Sequence, residues 1–170
     1  LRVLVLILLF ACTSFAQDKE VDKLLEEAAI LFVQERPIDA RAKLQKALKK
    51  DPNDFRIHLY LGEYYLQQVG HFQLAYRYIT KSKKLFEEKG YSYSNPRQKQ
   101  IHGNILILLA IAELNLDRYE DSLKTIELFE KDHWNSMIPG TKAWILWKLG
   151  DTDAAIEVAR IGINKGADPI

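Results

Sequence analysis

The sequence predicts an all-α chain in which about four helix pairs stack into a solenoid, and three observations carry that expectation. Small residues recur in one phase, with Ala28, Gly62, Ala110 and Ala143 followed after 12, 13, 12 and 12 positions by Ala40, Ala75, Ser122 and Ala155. A third landmark stands seven positions beyond each second member, at Ala47, Ser82, Phe129 and Gly162. Ala28 and Gly62 are 34 residues apart, a period typical of stacked helix pairs that cannot bury their apolar faces alone.

Composition sets the frame for these elements. With 170 residues, 48% hydrophobic and 28% charged, the chain has the make-up of one globular domain rather than of a disordered one. Val3 to Ala11 form an unbroken apolar run after Arg2, and a charged helical pattern begins at Asp18. This predicts a signal peptide over residues 1–16, because a spanning helix needs about 18 or more apolar residues. The chain opens on Leu1 rather than Met, so part of the basic leader is expected upstream. Cleavage after Ser14-Phe15-Ala16 would release an exported protein, periplasmic or secreted, beginning at Gln17. The alternative is Leu9-Phe10-Ala11-Cys12, which resembles a bacterial lipobox and would make Cys12 the lipidated first residue of a membrane-anchored lipoprotein.

The repeat domain is expected over residues 17–170, in units at about 21–54, 55–89, 96–134 and 135–168 with an insert at 90–95. In the first unit, Leu24, Leu25, Ala28, Leu31 and Phe32 keep helical spacing, as do Ala40, Leu44, Ala47 and Leu48 after Pro37. Asp51-Pro52-Asn53-Asp54 stops that helix and caps the next. The second unit turns at Gly70-His71-Phe72 and closes at Gly90, a left-handed C-cap. Asn95 and Pro96 then read as N-cap and first residue of a helix running to about Asn115. Within it, Ile105 to Ala112 are all apolar, which predicts burial on every side. The third unit turns at Asp117-Arg118-Tyr119 and the fourth at Gly150-Asp151-Thr152, with the fourth unit's first helix starting late near Pro139. The chain ends at Gly166-Ala167-Asp168-Pro169-Ile170 without a dedicated polar capping helix, so the last helix is expected to rely on a partner or on further residues.

These residues resemble the tetratricopeptide repeat family. Ala28, Ala40, Ala47 and Pro52 match its pattern in the first unit, and Leu61-Gly62, Tyr65, Phe72 and Ala75 match in the second after one inserted residue. Tyr119 with Ser122, and Ala143 with Ala155, match in the third and fourth. Phe129 and Gly162 depart from the usual alanine, Glu113 from a common aromatic and Ile38 from a turn aromatic. The resemblance implies a right-handed α-solenoid whose first helices line a concave groove for a peptide or protein partner, without a cofactor. Some family members clamp the acidic tails of chaperones with Lys, Asn and Arg. Here the corresponding stretches offer Leu25, Ala29, Leu59, Glu63, Ile107 and Ile111, so no such clamp is expected.

Candidate partner-binding residues follow from the predicted first helices. Tyr60 and Tyr64 are four apart, with Leu66 nearby, and Trp144 and Trp147 are three apart, so each pair shares a helix face. Large aromatics dominate binding hot spots, but they fill gaps between stacked helices equally well. Arg56, Glu63, Gln67, Asn104 and Lys148 are the polar candidates for fixing a partner, with a solvated face as the alternative. Tyr91 and Tyr93 lie in the insert, where a loop contact or packing over the second unit is expected. Arg41, Lys43, Lys46, Lys49 and Lys50 form a basic second helix, either a solvated face or, with Cys12 lipidated, a contact for anionic headgroups.

Other chemistries find little support. Cys12 is the only cysteine, so the mature domain has no disulfide or thiolate metal site. His58, His71, His102 and His133 are scattered, with no His-Glu-x-x-His pair, nucleophile elbow or phosphate loop. A net charge of +1 argues against nucleic acid. The expected function is a non-catalytic interaction scaffold. The alternatives are a lipid-anchored subunit of an envelope assembly, of the outer-membrane protein insertion or pilus biogenesis type, and an accessory module to a cell-wall enzyme.

Overall fold

The structure is a computed structural model that describes residues 19–90 and 95–165. The leader with Cys12, the insert tyrosines Tyr91 and Tyr93, and the closing segment 166–170 lie outside the described residues. Among the described residues there are eight α-helices and no strand. They are α1 (residues 19–33), α2 (Pro37–Lys50), α3 (Phe55–Glu63), α4 (Phe72–Glu88), α5 (Pro96–Leu114), α6 (Tyr119–Glu130), α7 (Ile138–Lys148) and α8 (Thr152–Asn164). Helix α3 continues without a break into a π-helical segment, Tyr64–Val69.

That segment accounts for the irregular spacing of the second unit. Thirteen rather than twelve residues separate Gly62 from Ala75. A π-turn takes in one residue more than an α-turn, so the extra residue is absorbed within the helix and α4 still begins in phase. It ends at Gly70 (φ 67°), with the His71 N–H donating to the Tyr65 carbonyl at 2.9 Å.

All four turns within helix pairs share one backbone device. Glu35 (φ 56°), Gly70, Asp117 (φ 55°) and Gly150 (φ 86°) are left-handed, and each directly precedes the N-cap residue of the second helix of its pair. Side-chain caps fix several starts: Asp54 accepts from the Arg56 N–H at 2.8 Å, Asn95 from the Arg97 and Gln98 N–H groups at 3.0 and 3.3 Å, and Asp151 from the Ala154 N–H at 3.1 Å. Each cap satisfies donors that the first helical turn leaves unpaired. Pro139 falls in the first turn of α7, where its missing N–H costs nothing.

Small residues sit where helices cross. Ala28, Ala40, Ala47, Ala75, Ser82 and Ser122 are buried. The two serines replace alanine without leaving a buried hydroxyl unmatched, because Ser82 donates to the Phe55 carbonyl and Ser122 to the Ala110 carbonyl, both at 2.9 Å. At Gly62 a β-carbon would lie 2.5 Å from Ile79 Cγ1 and 3.3 Å from the Ile79 backbone nitrogen. The α3–α4 crossing is therefore set by the absence of a side chain.

Three apolar cores follow in sequence. Leu25, Leu44, Ile57 and Leu61 are central to the first, between α1, α2 and α3. Phe55, Ile79, Phe86, Ile105 and Leu109 belong to the second, between α3, α4 and α5. Leu106, Ile126, Phe129, Ile138 and Ile145 belong to the third, between α5, α6 and α7. Helix α5 thus feeds two cores from opposite sides, which explains its continuous apolar stretch. It is not buried all round, however: Ile107 is half-buried and Ile111 is 39% exposed. Two neighbours cover two sides of a helix and leave a third strip open. Glu113, where an aromatic was the family expectation, is buried and accepts from the Thr125 hydroxyl at 2.8 Å.

Two histidines, buried His102 and half-buried His133, join α5 to its neighbours. His102 stacks on Phe86 with ring centroids 5.9 Å apart, and His133 stacks on Phe129 at 4.9 Å. The His133 ring occupies the space that a β-carbon on Gly103 would fill, with its nearest atom 2.9 Å from that position. Burial holds both imidazoles below the ordinary histidine range, against a mixed field of Glu87, Lys83, Asp132 and Lys99.

Replacement of Gly62 by Leu is expected to cost about 3 kcal/mol or more by forcing α3 from α4. An unchanged midpoint in urea would contradict the assigned crossing. The histidines set a pH dependence of definite sign. Their folded-state affinity for protons is depressed, so the unfolded chain binds more protons and stability is lost as pH falls below about 6.5. Melting temperature should drop from about pH 7.5 to about 5.5, and His102→Gln should blunt the drop. Glu113, raised by burial, works in the opposite sense and does not mimic this effect.

Candidate partner-binding groove

The first helices α1 and α3 present an open recess on one side of the ribbon. Ala29, Phe32 and Val33 of α1 face Tyr60, Glu63, Tyr64, Gln67 and Gln68 of α3 and the π segment across about 390 Å³. The π-helical winding puts Glu63, Tyr64, Gln67 and Gln68 along the same wall, so the inserted residue shapes the recess as well as preserving the phase. Tyr64 is only 6% exposed; its ring lies 6.4 Å from that of Phe32 and edge-on to Tyr65 at 5.1 Å. It forms a fixed wall, whereas Tyr60 is half-buried and Gln67 is exposed. Leu66, grouped with these tyrosines at first, turns inward and packs in the second core.

Glu63 is a half-buried carboxylate on this wall. Its carboxylate accepts only from its own helix, from Gln67 Nε2 at 3.5 Å, and no ion pair engages it among the described residues. Burial alone holds its carboxyl above the ordinary range, with no cation to lower it. Arg56 is the reverse case, because its guanidinium is committed to Asp54 at 2.5 Å and to Asp22 at 2.7 Å. It ties the start of α3 to α1, and these two carboxylates raise its own proton affinity.

Further along, α5 contributes the open strip noted above. Ile107, Ile111, Leu114, Phe129 and Met137 line an apolar cleft of about 140 Å³. Beside it is a polar recess of about 450 Å³ that includes Lys99, Asn104, His133 and Trp134, bridged by a Lys99–Asp132 ion pair at 3.5 Å. Asn104 is exposed there.

The candidates on α7 form a separate cluster. Trp144 is 37% and Trp147 55% exposed, and Lys148 Nζ lies 5.1 Å from each ring centroid. Trp144 also meets Tyr119 edge-on at 5.8 Å. Neither tryptophan fills the interior, in contrast to Tyr64. The structure therefore brings Tyr60, Glu63, Tyr64 and Gln67 together, groups Trp144, Trp147 and Lys148 elsewhere, and takes Arg56 up in ion pairs. Phe32, Val33 and Gln68 were missed from sequence, since the recess needs α1 and α3 side by side.

Among the described residues, no group of three His, Cys, Asp or Glu side chains could hold a metal ion, and no helix is long and apolar enough to cross a membrane.

The comparisons with known proteins agree with the architecture. Residues 25–76 match the tetratricopeptide repeat family. No curated protein matches the chain in sequence. Among solved structures, one of MamA superposes with a TM-score of 0.71 at 14% identity, covering 86% of this chain and 78% of that one. MamA from AMB-1 gives 0.69 at 18% identity, covering 87% and 78%, and MamA from MSR-1 gives 0.68 at 16%, covering 85% and 75%. At such identities the likeness is one of fold. Residues 25–76 thus match the tetratricopeptide repeat family in sequence, and the helix pairs that continue beyond them share the fold of MamA.

Proposed function

We propose that this protein is a non-catalytic scaffold that holds a peptide or protein partner along the face where α1 and α3 open. The observation that carries this reading is the recess between them, in which aromatic walls and a carboxylate without a cationic partner stand open to a ligand. Core packing has no use for such a surface, whereas a binding hot spot combines these features. Repeat proteins of this family act in general through protein partners, and the reading rests on that as well.

We infer in addition that the protein is exported, supported by the apolar run Val3 to Ala11 followed by Ser14-Phe15-Ala16. The lipid-anchored alternative is supported by Leu9-Phe10-Ala11-Cys12. Intact mass of the full-length exported product distinguishes a chain starting at Gln17 from one starting at acylated Cys12.

Photo-crosslinking side chains placed at Gln67 in the recess and at Lys46, exposed on α2, test the scaffold reading in the native host. The expected result is a discrete partner adduct from position 67 and none from position 46. Equal labelling at both positions, or no adduct at 67, would overturn it.

A further inference from the structure

We propose that the recess between α1 and α3 selects a cationic side chain of its partner, a lysine or arginine, which pairs with the Glu63 carboxylate between the walls formed by Phe32, Tyr60 and Tyr64. This rests on the scaffold reading and adds the chemistry of what binds.

Lys43, Lys50, Lys83, Lys142, Arg36, Arg56 and Arg118 each face a carboxylate within 2.8 Å or less. Glu63 has no such cation among the described residues, although it is more secluded than most of the carboxylates in those pairs. A partly desolvated carboxylate without a counter-charge is costly, and a ligand that supplies the charge recovers that cost. The surrounding groups favour a cation over other hydrogen-bond donors. Aromatic rings attract a cation through their faces, and apolar walls receive the methylene stem of a long basic side chain. Ala29 and Val33 supply such apolar wall on the α1 side, while the Gln67 and Gln68 amides can accept remaining donors at the rim. Arg41 approaches the Tyr64 ring at 5.8 Å from its centroid but does not line the recess, so it leaves the Glu63 side open. An acidic peptide, by contrast, would bring a second negative charge to a site with none to spare.

The probes are the N-acetyl methylamides of lysine, arginine, norleucine and glutamate, titrated into the isotope-labelled protein and followed by amide chemical shifts. The lysine and arginine amides should give saturable shifts centred on Tyr60, Glu63, Tyr64 and Gln67, weakening with added salt. The norleucine and glutamate amides should bind at least about tenfold more weakly. Glu63→Gln should abolish the preference for the cationic amides while leaving the melting temperature equal or higher, because it removes an uncompensated charge. Norleucine binding as well as lysine, or an unchanged preference in Glu63→Gln, would overturn the proposal. The Gln67 crosslink separates the two levels: an adduct undiminished in Glu63→Gln leaves the scaffold standing and removes the cation. An adduct from wild type lost in Glu63→Gln and kept in Glu63→Asp supports both.

Discussion

Two helices approach backbone to backbone only where a side chain is missing, and the α3–α4 crossing depends on that at Gly62. With no β-carbon there, Ile79 lies directly against α3, and its other contacts close the second core with Phe55, Phe86 and Ile105. The buried alanines and serines repeat the arrangement in milder form along the ribbon. Because each pair is held by its own crossing and each core is shared between neighbours, the position of every first helix follows from the one before it. The groove inherits its geometry from these contacts and needs little stabilisation from its own side chains.

That division frees the groove to carry groups that a core would reject. Glu63 lies without a cation beside apolar walls, Ile107 and Ile111 form an open apolar strip, and two tryptophans on α7 are partly exposed. Arg56, by contrast, is matched locally by Asp54 and Asp22. A half-buried carboxylate that lines a recess and has no cation is what separates function from fold on this surface. The π segment joins the two roles, since the same extra residue that would disrupt the phase lines up Glu63, Tyr64, Gln67 and Gln68 instead.

Much of this fold was legible in the sequence, because its determinants are local or periodic. Asn95-Pro96, Gly70, Gly150 and the small residues at helix crossings declare themselves by residue type and spacing. The turn at Asp117 was readable too, whereas the left-handed Glu35 was not, since glutamate does not favour positive φ. The extra residue between Gly62 and Ala75 was visible as an insertion, but nothing local distinguishes a π-turn from a longer loop. Burial of α5 was overestimated because hydrophobicity records what a strip tolerates and not which side lacks a neighbour. The site was legible in part: Tyr60, Glu63, Tyr64 and Gln67 share a helix, whereas Phe32 and Val33 join them only through tertiary packing. The engagement of Arg56 by Asp22 is likewise a contact across 34 positions.

Successive crossings on small residues hold the ribbon together from its middle. Native-state hydrogen exchange, residue by residue, tests it most directly. The slowest amides are expected in α3, α4 and the half of α5 from Ile105 to Ala110, flanking Gly62, Ala75 and Ile79, with α7 and α8 exchanging through smaller openings. Uniform protection across all eight helices, or faster exchange at Leu61 and Ile79 than in α8, would contradict it.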